Sequence, residues 1–100
     1  MSSIVEFFRH WSAYLDRRLV GAATWEPGRN QTDMLWVGAD PAYEDTALEA
    51  LLTHVRGQGL SERLLMVNYP AGHAVEGFER AGFTRQNTLI WMSIQYPSGF

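Results

Sequence analysis

The chain has 100 residues, 46% of them hydrophobic, no Cys, and a net charge of −3 with its three His neutral. That length makes one domain, residues 1–100, burying roughly two-thirds of the surface its unfolded form exposes. The acidic balance argues against a general nucleic-acid binder, since no basic excess is available to release phosphate counterions, and the missing Cys excludes disulfides and thiolate metal sites.

In chain order, Ile4, Phe7, Phe8 and Trp11 recur at i, i+3, i+4 and i+7, so the spacing predicts a short amphipathic helix over residues 3 to 10, with Ser2 or Ser3 as its cap. "WSAYLD" and "RLVGAATWEP" follow as a β-hairpin turning near Asp16-Arg17-Arg18. Pro27, Gly28 and Asn30 make a loop, and "DMLWVG" is a central strand ended by Gly38. Asp40-Pro41 starts a helical turn, and Thr46 to Glu49 fits a capping box. Leu48, Leu51, Leu52 and Val55 give the buried stripe of the following helix, which Gly57 and Gly59 end. "RLLMVNY" is a second buried strand, stopped by Pro70. Ala74, Val75, Phe78 and Ala81 form the next helix face, with Gly82 as its stop. "TLIWMSIQY" is the last strand, apolar on both faces and therefore expected to be covered on both sides by a helix or another subunit.

The predicted order is helix, strand, strand, strand, helix, strand, helix, strand. The strand–helix–strand crossover between Met34 and Tyr69 should be parallel and right-handed, the hairpin antiparallel. The fold class is α/β (α+β): a mixed sheet, mostly antiparallel, with a central parallel pair and helices on its faces. Charges arrive too early in "MSSIVEFFRHW" for a signal peptide. No stretch reaches membrane-spanning length, so no membrane partner and a cytoplasmic location are expected. Only 19% of residues are charged, which leaves apolar surface for a partner.

"FERAGF", preceded by Ala74 and followed by a strand, resembles the A-x-x-x-Y-x-x-x-G-F helix-to-strand motif of the GNAT superfamily of N-acetyltransferases. "YLDRRLVGAATWEP" is similar to their central hairpin, "MLWVGADPAYED" to their strand and phosphate loop, and "LEALLTHVRGQGL" and "RLLMVNYP" to the next helix and strand. The resemblance, over residues 11 to 94, implies acetyl-CoA as co-substrate and an amine, small or protein-borne, as acceptor. It implies that the strands of Leu35–Gly38 and Leu65–Asn68 splay apart. Pantetheine would then lie along Trp36, Val37 and Gly38, near Asn68; His73, which starts the last helix, is a separate candidate to reach a ligand near the strand ends. The pyrophosphate would rest on backbone N–H groups of the following helix, at Thr46 and Ala47, where unpaired donors and the helix dipole favour an anion.

The chain departs from that pattern. The positions of the family's glycine-rich loop are held by Tyr43-Glu44-Asp45-Thr46-Ala47-Leu48, without glycine and with two carboxylates. The family's proton-donating Tyr falls at Phe78, which has no proton to give. Tyr69 is the remaining candidate acid and Glu26 the candidate base; each reads equally as an ordinary surface group. The helices that open the family's domains are largely missing, and a second copy of the chain is the expected supplier of the missing wall, making a homodimer. His10, His54 and His73 show no metal-binding spacing. Two functions stay open: a small N-acetyltransferase, and a catalytically silent GNAT-like module for ligand sensing or dimerisation.

Overall fold

A computed structural model describes residues 2–30, 32–58, 64–86 and 90–94. Seven strands form one sheet in the order β1-β2-β3-β4-β5-β7-β6. They are β1 (Ser2–Phe7), β2 (His10–Leu15), β3 (Arg18–Glu26), β4 (Thr32–Ala39), β5 (Leu64–Asn68), β6 (Thr84–Arg85) and β7 (Ile90–Ile94). Helix α1 (Glu44–Arg56) connects β4 to β5, and α2 (Val75–Arg80) connects β5 to β6. Among the described residues only β4 and β5 pair in parallel, and the other pairings are antiparallel. The mixed sheet with one parallel pair matches the expected fold class.

The predicted first helix is a strand. Residues 2–7 pair antiparallel with residues 10–15, and Phe8 and Arg9 turn between them with φ of 50° and 60°. The apparent helical stripe is divided by the pleat: Trp11 is buried while Phe7 and Phe8 are 70% and 87% exposed. Pairing with β2 satisfies the backbone of this segment, whereas the isolated helix of two turns would gain little from packing. The hairpin at Asp16-Arg17 is present, with φ of 50° and 70°, the signature of a tight type I′ connection. One short strand, β6, was not expected.

Helix α1 begins earlier than the capping box implies. Asp40 caps a 3₁₀ turn over Pro41–Tyr43, its Oδ1 accepting from the Ala42 N–H at 2.9 Å, and α1 follows directly from Glu44. Thr46 therefore lies inside the first turn. The Leu stripe is as read: Leu48, Leu51, Leu52 and Val55 are fully buried, each worth about 2 kcal/mol of apolar transfer. They cover the inward side chains of β2 to β5, among them Trp11, Ala23, Leu35, Leu65 and Val67.

The stop of α2 accounts for the glycine of "FERAGF". Phe83 N–H donates to Phe78 O at 2.9 Å and Gly82 N–H to Glu79 O at 3.0 Å, a Schellman motif with Gly82 at φ 91°. A Cβ at Gly82 would also collide with the Arg56 guanidinium, which donates to Ala81 O at 3.3 Å. Phe78 stacks on Trp91 at 4.7 Å and meets Phe83 edge-on at 5.9 Å, so α2 is clamped over β7. The opposite face of β7 has no described helix over it; Ile90 and Met92 are half-buried there. Gly59, residues 88–89 and residues 95–96, which belong to predicted element ends, lie outside the described residues. No described helix is long and apolar enough to cross a membrane.

Candidate functional site

The parallel pair closes only part-way. Thr32, Asp33, Met34 and Leu35 of β4 register with Leu64, Leu65, Met66 and Val67 of β5. Beyond Leu35, among the described residues, β4 pairs only with β3, Trp36, Val37, Gly38 and Ala39 lying opposite Thr24, Ala23, Ala22 and Gly21. Beyond Val67, β5 continues against β7, with Asn68 opposite Ile90. The two strands thus part at the carboxyl end of the pair, the place where α/β sheets bind ligands. Open space surrounds the position a Cβ would take at Gly38.

What faces this parting is the first turn of α1, and its two carboxylates are already engaged. Tyr69, which follows β5, donates its hydroxyl to Glu44 Oε2 at 2.6 Å. His73 Nδ1 lies 3.3 Å from Glu44 Oε1. Asp45 Oδ1 accepts from the Gly77 N–H of α2 at 3.1 Å. Burial first, then the Glu44 hydrogen bond, then the charges of Glu44 and Asp45, raise the Tyr69 phenol far above its ordinary range. The phenol stays protonated, and its proton points at Glu44.

Of the residues singled out from the sequence, the fold brings Trp36, Val37, Gly38, Asn68, Tyr69 and His73 to the neighbourhood of the parting. Trp36 and Asn68 are exposed, Val37 is half-buried towards the helices, and Tyr69 packs on Phe78 with ring centres 5.5 Å apart. Thr46 and Ala47, in the first turn of α1, also border a second space. They line a cavity of about 360 Å³ with Ile4, Ala13, Val20 and His54, between α1 and the first hairpin. Glu26 pairs with Met34, four residues along β4 from Gly38, or about 13 Å at the rise of a strand. It is not brought to the parting. Phe78 is fully buried among aromatic rings, a wall of the core.

Two groups here were not read from the sequence. Asp33 is only 2% exposed and its Oδ1 accepts from the Gly28 N–H at 3.0 Å, fixing the loop before β4. At Gly77 the helices come close: a Cβ there would stand 2.9 Å from the Asp45 carbonyl oxygen. A glycine inside a helical pattern is the one sequence signal that marks such an approach; for Asp33 no local signal exists.

No family model matches the chain, and no curated protein matches its sequence. Solved structures do match. The ribosomal-protein-S18-alanine N-acetyltransferase of Escherichia coli superposes with a TM-score of 0.56 at 16% identity, over 94% of this chain and 74% of that one. A GNAT-family protein from Desulfovibrio desulfuricans gives a TM-score of 0.53 at 20% identity, over 85% and 67%. The chain has the GNAT fold. The sequence resemblance would put pantetheine in the opening beyond the β4–β5 pair. The first turn of α1 is the implied phosphate site, and there this chain carries Glu44 and Asp45.

Proposed function

We propose that this chain is a GNAT-fold domain whose coenzyme site is closed by its own side chains, and that it works by association rather than by acetyl transfer. The observation that carries this reading is the double staple at the start of α1. Glu44 bonds Tyr69 and Asp45 bonds Gly77, which ties the helix end to β5 and α2. A pyrophosphate arriving there would meet two carboxylates, each like-charge contact costing on the order of 1 kcal/mol at a partly exposed site. It would also compete with carboxylates already placed at the positive end of the helix dipole. Nor is there glycine in the turn to let the backbone wrap an anion. The residues at this end do not fit the phosphates of coenzyme A.

Titration calorimetry with acetyl-CoA and with CoA tests the reading. The expected result is no binding at millimolar ligand; micromolar binding would overturn it. The double variant Glu44→Gly, Asp45→Arg removes the repulsion and should bring CoA affinity into a measurable range.

One observation favours a second reading. Among the described residues, Trp36 to Ala39 have no strand partner on the side away from β3, and that edge with the open space at Gly38 suits an extended pantetheine arm. On that reading the chain is an acetyl-CoA-dependent N-acetyltransferase for a small or protein-borne amine, with Trp36, Val37, Gly38 and Asn68 along the arm. Thr46 and Ala47 would then lie at the phosphates and His73 near the strand ends, with Tyr69 as the candidate acid; Glu26, which pairs with Met34, is too far from Gly38 to serve as the base. Thiol release over a panel of amines separates it from the first.

A further inference from the structure

Both helices lie on one face of the sheet. The inward residues of β2 to β5 pack under α1, and Trp91 of β7 packs under Phe78 of α2. Strand alternation sends the other half of the side chains to the opposite face, over which no helix is described. The pairings Phe7–His10, His10–Thr24 and Thr24–Trp36 make one row across that face. The pairings Glu26–Met34, Met34–Met66 and Met66–Met92 make the next. Val5, Phe7 and Trp36 are 55%, 70% and 51% exposed. Glu26 and His10 are the ionisable side chains in these two rows, and His10 bonds Thr24 at 2.7 Å.

We infer that this helix-free face is the interface of a symmetric dimer of the chain, with the two-fold axis along β4. Three features favour a second copy as the occupant. The first is size: seven strands spaced ~4.8 Å apart, about six residues long at ~3.3 Å each, give a face of about 600 Å² in plan. Side chains standing off that plane raise its accessible area towards the ~800 Å² that each partner of a standard interface buries. The second is charge. The chain carries −3 overall, yet these rows are nearly neutral, so two copies can meet there without opposing like charges. The third is arrangement. β4 is the middle strand of the seven, with Val5 and Phe7 on one side of it and Met66 and Met92 on the other. A two-fold axis along β4 lays the Phe7 side of one copy on the methionine side of the other, and sulfur–aromatic contacts are favourable. Trp36 of both copies lies at the axis. Such an isologous patch is self-complementary, and two sheets packed in this way stand about 10 Å apart. The inference deepens the association reading above by naming its partner and face.

Sedimentation or light scattering from 1 to 300 µM is the first test, and a dimer at tens of micromolar is expected. Trp36→Glu should convert it to a monomer with an unchanged far-ultraviolet circular dichroism spectrum; Phe7→Ser, at the periphery, should weaken it about tenfold. Arg80→Glu, on the helical side, should leave it intact. Trp11, Trp25 and Trp91 are buried, so Trp36 dominates acrylamide quenching, and the wild-type quenching constant should rise several-fold on dilution below the dissociation constant. That dilution series decides the matter even should a variant fail to fold. A monomer at 300 µM, or a dimer whose mass and quenching are indifferent to Trp36→Glu, overturns the inference. A dimer that also binds CoA overturns the closed-site reading and leaves this one standing.

Discussion

At the scale of single residues, Tyr69 is the most constrained group near the parting of the strands. Its hydroxyl donates to a carboxylate at 2.6 Å in a part-buried setting, and hydrogen bonds to charged groups are worth about 1.5–3 kcal/mol. Tyr69→Phe should therefore cost about 1–2 kcal/mol in urea unfolding, with the fold retained. The pH dependence follows from the raised phenol. Below about pH 10, the ordinary tyrosine value, the native and unfolded states hold the same proton and the stabilisation is complete. As the pH climbs above 10 the unfolded chain releases its proton first, so stability falls with pH. In wild-type protein, ultraviolet titration should show one tyrosine that does not ionise until the chain unfolds. Tyr69→Phe should abolish that late step and flatten the alkaline loss. A late step that persists in the variant would show that another tyrosine is the protected one.

At the scale of elements, turns and helix crossings carry the expectations. Arg17 holds a left-handed conformation at φ 70°, which costs a non-glycine residue of order 1 kcal/mol. Arg17→Gly should relieve it and stabilise the chain by about 0.5–1 kcal/mol in thermal or urea unfolding. Gly77→Ala should do the opposite. Its Cβ would stand 2.9 Å from the Asp45 carbonyl oxygen, a backbone atom that cannot swing away. Forced separation of α1 from α2 should cost about 1–3 kcal/mol, and a neutral result would show that the helices do not cross there. The same elements show what the sequence made legible. Helix α1, strands β2 to β5 and the glycine stop of α2 were readable because their apolar periods and breakers agree. The hairpin of β1 and β2 was not, because its turn is Phe8-Arg9, with no Gly or Asn to announce positive φ. Ile4, Phe7, Phe8 and Trp11 also happen to fall at helical spacing. The staples at the start of α1 were hidden for another reason: Glu44 and Tyr69 are 25 residues apart and Asp45 and Gly77 are 32 apart, and no local pattern encodes pairings made only by the crossover.

At the scale of the whole molecule, the mixed sheet follows from element order, whereas the parting of the strands, which the pairings show beyond Leu35 and Val67, was implied only by the sequence resemblance. That resemblance did not foresee how the parting is furnished, because that depends on side chains brought together by packing. One consequence of the half-paired middle strand concerns amide exchange. In a strand, successive N–H groups point to alternate sides, so from Trp36 to Ala39 every second amide faces β3 and the others face away from any strand partner described here. Solvent deuterium should therefore enter this stretch in an every-other-residue pattern, slow then fast, while Asp33 to Leu35 exchange uniformly slowly. The sheet consists of two leaves, β1 to β4 and β5 with β7 and β6, joined by four parallel residue pairs and connected by α1. Whatever fills the crevice between the leaves would erase the alternation.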